Sequence, residues 1–259
     1  MTSLAFTWIR SRSLAWRAGT LVLVCAAVIA TVFLLPPIHV PTHMMGQRGL
    51  ADTRTLLGIP NALDVLSNLP FALAGFLGLT RMRRLDPALA PIGAVLFAAL
   101  IAVALGSSYY HLAPSPGRLL FDRLPITLAF MSIFALVLGD RLSPRVGRAA
   151  LAPLVALAAG TALYWYFGGT TPGGGDLRPY SLTQALPMVA LPVLICLFPG
   201  RLDERRLLIA LLLYAAAKVC ELFDAQIFAL SGVVSGHSLK HLAAGAACFC
   251  LVPADERES

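Results

Sequence analysis

His237 and His241 stand four residues apart, an interval that stacks two imidazoles on one face of a helix with ring nitrogens able to meet a single cation. Ser107 and His111 repeat that interval, and Asp122 follows eleven residues later. Taken alone, an HxxxH spacing fits two satisfied polar side chains equally well. The third histidine, in the company of a hydroxyl and a carboxylate, favours a site. Three nitrogen ligands with an open fourth position are the pattern of catalytic zinc, because structural zinc sites close with four protein ligands. Bound zinc lowers the pKa of water to about 7, supplying a hydroxide that attacks a carbonyl. Asp122 is then placed to take a proton from water and return it to a leaving amine, and Ser107 to hydrogen-bond the developing oxyanion. Both residues also have plainer readings. Ser107 can back-bond to a helical carbonyl, and Asp122 can cap a helix or pair with Arg123.

The elements that must position these groups follow from composition. The chain has 259 residues, 58% of them apolar and 13% charged, and a mean hydropathy of +0.79. That balance excludes a soluble domain and indicates a membrane-embedded protein. Apolar segments suited to crossing about 30 Å of hydrocarbon fall at 18–36, 63–80, 92–112, 119–139, 148–167, 183–199, 206–229 and 236–252. Short connections carry Pro36-Pro37, Pro87, Pro114, Pro116, Pro144, Pro172 and Pro199-Gly200. The first segment follows Arg10, Arg12 and Arg17 without a small-x-small cleavage site, so it reads as an uncleaved anchor.

The excess of basic over acidic residues would suggest nucleic acid in a soluble protein. Here the arginines lie between apolar runs and report topology instead. Arg10, Arg12, Arg17, Arg81, Arg83, Arg84, Arg141, Arg145, Arg148, Arg201, Arg205 and Arg206 share one side, which the positive-inside rule makes cytoplasmic. Both termini then lie inside, and the loops 37–62 and 168–182 face outside. Connectivity alone brings His111, Asp122, Lys218, Glu221, Asp224, His237, Lys240 and His241 to the outer half of the membrane. Ionisable groups at such depth are expensive and are functional candidates by default.

Among the other charges, Lys218 and Glu221 have the spacing of a helical ion pair. Asp64, Glu221 and Asp224 are candidates to accept the far N–H of a metal-bound imidazole, or alternatively to neutralise Lys218 and Lys240. Tyr109 and Tyr110 read as interfacial aromatic residues. His39 and His43 lack a third ligand, and no role is assigned to them. Cys25, Cys196, Cys220, Cys248 and Cys250 all fall within apolar runs and read as small buried hydrophobes.

The combination Ser107-x-x-x-His111, Asp122 and His237-x-x-x-His241, with Ser67-Asn68 in the second segment, resembles the alkaline ceramidases and the wider membrane hydrolase superfamily that includes adiponectin-receptor-like proteins. The resemblance covers about residues 60–250. It implies an all-α membrane protein with a seven-transmembrane-helix core at 61–252, here preceded by an additional transmembrane anchor helix and outer loop at 1–60 and followed by a short cytoplasmic tail at 253–259. It further implies zinc held by His111, His237 and His241, with Asp122 and Ser107 assisting hydrolysis of a ceramide amide bond. Eukaryotic members also carry an acidic calcium cluster before the first core helix. Here the equivalent stretch offers only Asp52, Asn61 and Asp64, too few oxygens for a cation that wants six to eight, and calcium is not predicted.

The expected function is therefore zinc-dependent cleavage of ceramide or another N-acyl lipid drawn from the bilayer. The arginine-rich, lysine-poor composition hints at a bacterial genome and hence at the plasma membrane. A lipid-sensing receptor of the same superfamily is the first alternative, although no large soluble segment is present to carry a signal. A proton or metal transporter is the second, although the inner halves of the relevant spans are almost wholly apolar.

Overall fold

The computed structural model describes residues 4–254. They form a helical bundle, with no strand among the described residues. The helices are α1 (Leu4–Arg10), α2 (Leu14–Leu34), α3 (Ala62–Leu66), α4 (Leu69–Thr80), α5 (Ala90–Leu112), α6 (Pro116–Arg141), α7 (Pro144–Phe167), α8 (Arg178–Leu197), α9 (Glu204–Leu222), α10 (Asp224–Ser231) and α11 (Gly236–Phe249). Local sequence explains most starts. Ser13, Ser115, Ser143, Asp203 and Ser235 each accept a backbone N–H of the first turn, satisfying a donor that the helix itself leaves orphaned. Proline occupies the first turn of α4 through α8, where its missing N–H costs nothing.

Six helices are long and apolar enough to cross a membrane: α2, α3 with α4 as Ala62–Thr80, α5, α6, α7 and α8. The segment α9 carries Glu204, Arg205, Arg206, Lys218 and Glu221, and α11 has only 14 residues. The expected single helix over 206–229 is instead broken at Phe223, and α10 restarts at Asp224. The tail expected at 253–259 lies largely outside the described residues.

The bundle is organised around α6, which packs on α5, α7 and α8, while α11 packs on α9 and α4. Ile92, Leu96, Phe97, Leu136, Val137 and Leu194 belong to the buried core. Charged groups close one end of the bundle. The buried Arg141 donates to Glu204 at 2.8 Å and to the carbonyls of Phe198 and Leu202, and Glu204 also accepts from Arg10 at 2.6 Å. These bonds tie α1, α6 and α9 together. The candidate site lies at the opposite end.

Candidate metal centre

The structure brings together all three histidines singled out by spacing. A ring nitrogen from each of His111, His237 and His241 lies within 4.8 Å of the others. His111 Nε2 and His237 Nε2 face each other at 3.2 Å. Two nitrogens sharing one tetrahedral zinc at normal bond lengths would be about 3.3 Å apart, so this pair is already at metal-sharing distance. The chemistry of the donor set, imidazoles only, with His111 and His241 buried and His237 half-buried, suits a borderline cation of the zinc type.

The far ring nitrogens set the tautomers. His241 Nδ1 lies 2.9 Å from Ser67 Oγ and 3.2 Å from the Asp64 carbonyl. The carbonyl can only accept, so Nδ1 carries the hydrogen and Nε2 presents its lone pair to the cluster. His111 Nδ1 faces Asp64 Oδ2 at 3.9 Å, and both atoms are buried with no hydrogen-bond partner. A small approach of the two would complete the carboxylate–imidazole contact that, in metal sites, orients a ligand histidine. The other Asp64 oxygen is held by Ser238 at 2.6 Å and Ser235 at 3.3 Å.

The remaining acids have different duties. Asp224 Oδ1 accepts the main-chain N–H of His237 at 2.7 Å and touches no imidazole. The break at Phe223 explains this: with α9 ended, Asp224 is turned toward the start of α11. Gly236 permits the approach, since a Cβ there would lie 2.2 Å from the Cys220 carbonyl oxygen. Glu221 pairs with Lys218 and, at 3.2 Å, with Lys240. It is thus part of an ion-pair group and orients no histidine. Lys240 Nζ also comes within 3.0 Å of His237 Nε2, placing a cation beside the cluster.

Ser107 and Asp122 line the same cavity as His237 and His241. The Ser107 hydroxyl is buried, makes no bond to a backbone carbonyl and stands beside the Asp122 carboxyl. It therefore does not back-bond to its own helix. Gly106 makes the pairing possible, because a Cβ at that position would stand 2.0 Å from the Phe121 carbonyl oxygen. Only glycine lets α6 lie this close to α5. No ion pair joins Asp122 to Arg123 among the described residues.

The cavity measures about 830 Å³. It begins at His237 and His241 and passes Leu100, Ile126, Phe130 and Leu211 before reaching Val137 and Ile195, close to the arginine-closed end of the bundle. Tyr110, expected at the interface, is instead buried against the outer loop with its hydroxyl on the Met45 carbonyl, whereas Tyr109 is exposed. The Asp52, Asn61 and Asp64 side chains have separate partners. Asp52 binds Arg54, and Asn61 binds Gln47 and the His111 carbonyl. Among the described residues, His39 meets the Gly174 carbonyl, and the His43 side chain lies outside the described residues.

No family model matches this chain, and neither does any curated protein or solved structure.

Several contributors to the site were not evident from spacing. Ser235 and Ser238 hold Asp64, Gly106 and Gly236 allow the close approaches, and Arg54 anchors the outer loop. The Arg54 guanidinium binds Asp52 at 2.7 Å and donates to the carbonyls of Gly232 and Val233, just before α11. Its hydrogen bonds to Asp52 hold that carboxyl below the usual carboxylate range. A cap serine at Ser235 was the one available signal, and serine caps are too common to mark a site.

Proposed function

We propose that this chain is an integral-membrane zinc amidase, resembling the alkaline ceramidases, that hydrolyses the amide bond of ceramide or a related N-acyl lipid. The observation that carries the reading is the joint placement of a three-imidazole cluster with a buried hydroxyl and a carboxylate at one end of an apolar cavity that His237 and His241 line. Structural sites have no need of the last three features.

His111, His237 and His241 would hold the metal, which when bound acidifies a water and polarises the amide carbonyl. Asp64 and Ser67 orient the imidazoles. The cavity below takes the acyl chain, leaving its carbonyl among the polar groups. Asp122 accepts a proton from the attacking water as the oxygen–carbon bond forms. Ser107 donates its hydrogen to the carbonyl oxygen as negative charge develops there. Asp122 then returns the proton to nitrogen as the carbon–nitrogen bond breaks. The acyl carbon gains the hydroxyl of water, the amine gains the hydrogen, and a fatty acid and an amine leave.

In this reading α9 with α10 and α11 also cross the membrane, giving seven core spans after the anchor helix α2. Both termini are cytoplasmic, and the site faces the extracytoplasmic side of a bacterial plasma membrane. Metal analysis of purified protein tests the first step: about one zinc per chain, lost in His111→Ala and His237→Ala. Fatty-acid release from a panel of N-acyl lipids tests the second. A folded, unchelated protein without metal would overturn the mechanism, and bound zinc without turnover on any panel member would favour a receptor.

A further inference from the structure

The cavity contains a cation that the proposed reaction does not use. Arg123, one residue beyond Asp122 in the second turn of α6, lines the same cavity. Its guanidinium lies 4.0 Å from the Trp165 ring centroid and 5.1 Å from that of Tyr180. These contacts fix its plane. Its Nη1 is buried without a hydrogen-bond partner, and the residue forms no ion pair among the described residues. Every other acid near the site is engaged: Glu221 by two lysines, Asp224 by the His237 main chain, Asp64 by two serines. Asp122 is left free to move a proton. The Asp122 charge lies nearby but makes no direct ion pair with the guanidinium; an arginine inside a span, held rigid and with a buried donor unbonded, is costly unless a ligand supplies a bonded anion.

We infer that Arg123 recognises an anionic group on the amine portion of the substrate, so that the preferred lipid is an N-acyl amine bearing a carboxylate near the amide and not a neutral ceramide. This inference rests on the proposed hydrolysis for its chemistry, but the anion site itself requires only the cavity and Arg123. The acyl chain fills the apolar shaft, the amide lies at the histidines, and the carboxylate reaches across to the stacked guanidinium. A planar fork of donors suits a carboxylate in two-point contact.

The test compares N-palmitoylglycine with N-palmitoylethanolamine, which share an acyl chain and differ in charge. Turnover is measured on the zinc-loaded full chain, and equilibrium binding on Asp122→Asn, where occupancy is read without cleavage. The glycine conjugate should be favoured in both measurements. Arg123→Gln should reduce that preference on the order of tenfold to a hundredfold, mainly through KM, and Arg123→Lys should restore part of it. Zinc content of each variant reports whether the site is still assembled. Equal binding of the two lipids, or a preference that survives Arg123→Gln at full zinc occupancy, overturns the inference and leaves the amidase proposal standing. Selective, Arg123-dependent binding without hydrolysis of any lipid supports the anion site while overturning the amidase proposal.

Discussion

Replacing Asp64 by asparagine keeps the side-chain volume and changes one interaction that matters to the candidate metal centre. In the native protein Asp64 Oδ1 is occupied by Ser238 and Ser235, which leaves Oδ2 facing His111 Nδ1 at 3.9 Å. The two serine hydroxyls will keep the asparagine oxygen in the Oδ1 position, so the new amide NH2 points at the imidazole. His111 Nδ1 must then accept, which moves its hydrogen to Nε2, the nitrogen that faces His237. Either the histidine is lost as a ligand or the amide turns and leaves both serines without their acceptor. Removing such an outer carboxylate typically lowers metal affinity by about 10-fold to 100-fold, or roughly 1.4–2.7 kcal/mol. Competition with a chelating zinc indicator, carried out on purified native protein and Asp64→Asn side by side, measures the difference. The Ser238→Ala variant provides the control, since it removes one hydroxyl and leaves the charge. Zinc affinity in Asp64→Asn within twofold of native would refute this account of how His111 is oriented.

Three further outcomes are expected. Asp122→Asn should abolish fatty-acid release, by at least about a hundredfold, while zinc content stays at one per chain; unchanged turnover would remove its proton-transfer role. Gly106→Ala drives a methyl against the Phe121 carbonyl oxygen, 2.0 Å away, and should cost about 1–3 kcal/mol of stability; because it separates Ser107 from Asp122 while sparing the histidines, kcat should fall more than zinc binding, and a parallel loss of both would argue otherwise. The Asp52–Arg54 contact predicts a pH window for the outer loop. Its carboxyl is held below the usual range by Arg54, so the coupling is fully present above the unfolded value of about 3.9 and is lost as pH falls through the lower folded value. Hydrogen exchange in residues 50–60 should therefore be flat between about pH 8 and 5 once corrected for intrinsic rates, and rise below about pH 4; Arg54→Gln should raise it throughout, and matching profiles for the two proteins would disprove the anchoring role.

How much of this site can be read from sequence depends on whether a residue is placed by helix periodicity or by long-range packing. His237 and His241 are joined by one turn of α11, and Ser107 and His111 by one turn of α5, so their spacing announces them. The alternation of apolar spans adds the depth, which is why Asp122 and the three histidines could be expected at one level. Asp64 was visible as a candidate because an acid in a span is conspicuous, but its link to His111 depends on α3 packing against α5 and α11. Asp224 shows the limit most clearly. Nothing in the apolar run 206–229 marks a break: it contains no proline or glycine, and Asp224 follows Glu221 at an ordinary helical interval. The break at Phe223 is met only where Gly236 brings α11 against the Cys220 carbonyl, thirteen or more residues away in sequence. With it, Asp224 passes from a candidate imidazole partner to the acceptor of the His237 N–H. The same logic separates Ser107, whose company was legible, from Ser235 and Ser238, whose bearing on the site lies in the carboxylate they hold. Ligand identity is thus written in short intervals, whereas ligand orientation is written in the contacts between helices. It follows that the candidate metal centre has two layers of unequal legibility, and that the less legible layer is the one that decides which nitrogen of each histidine would be offered to a cation.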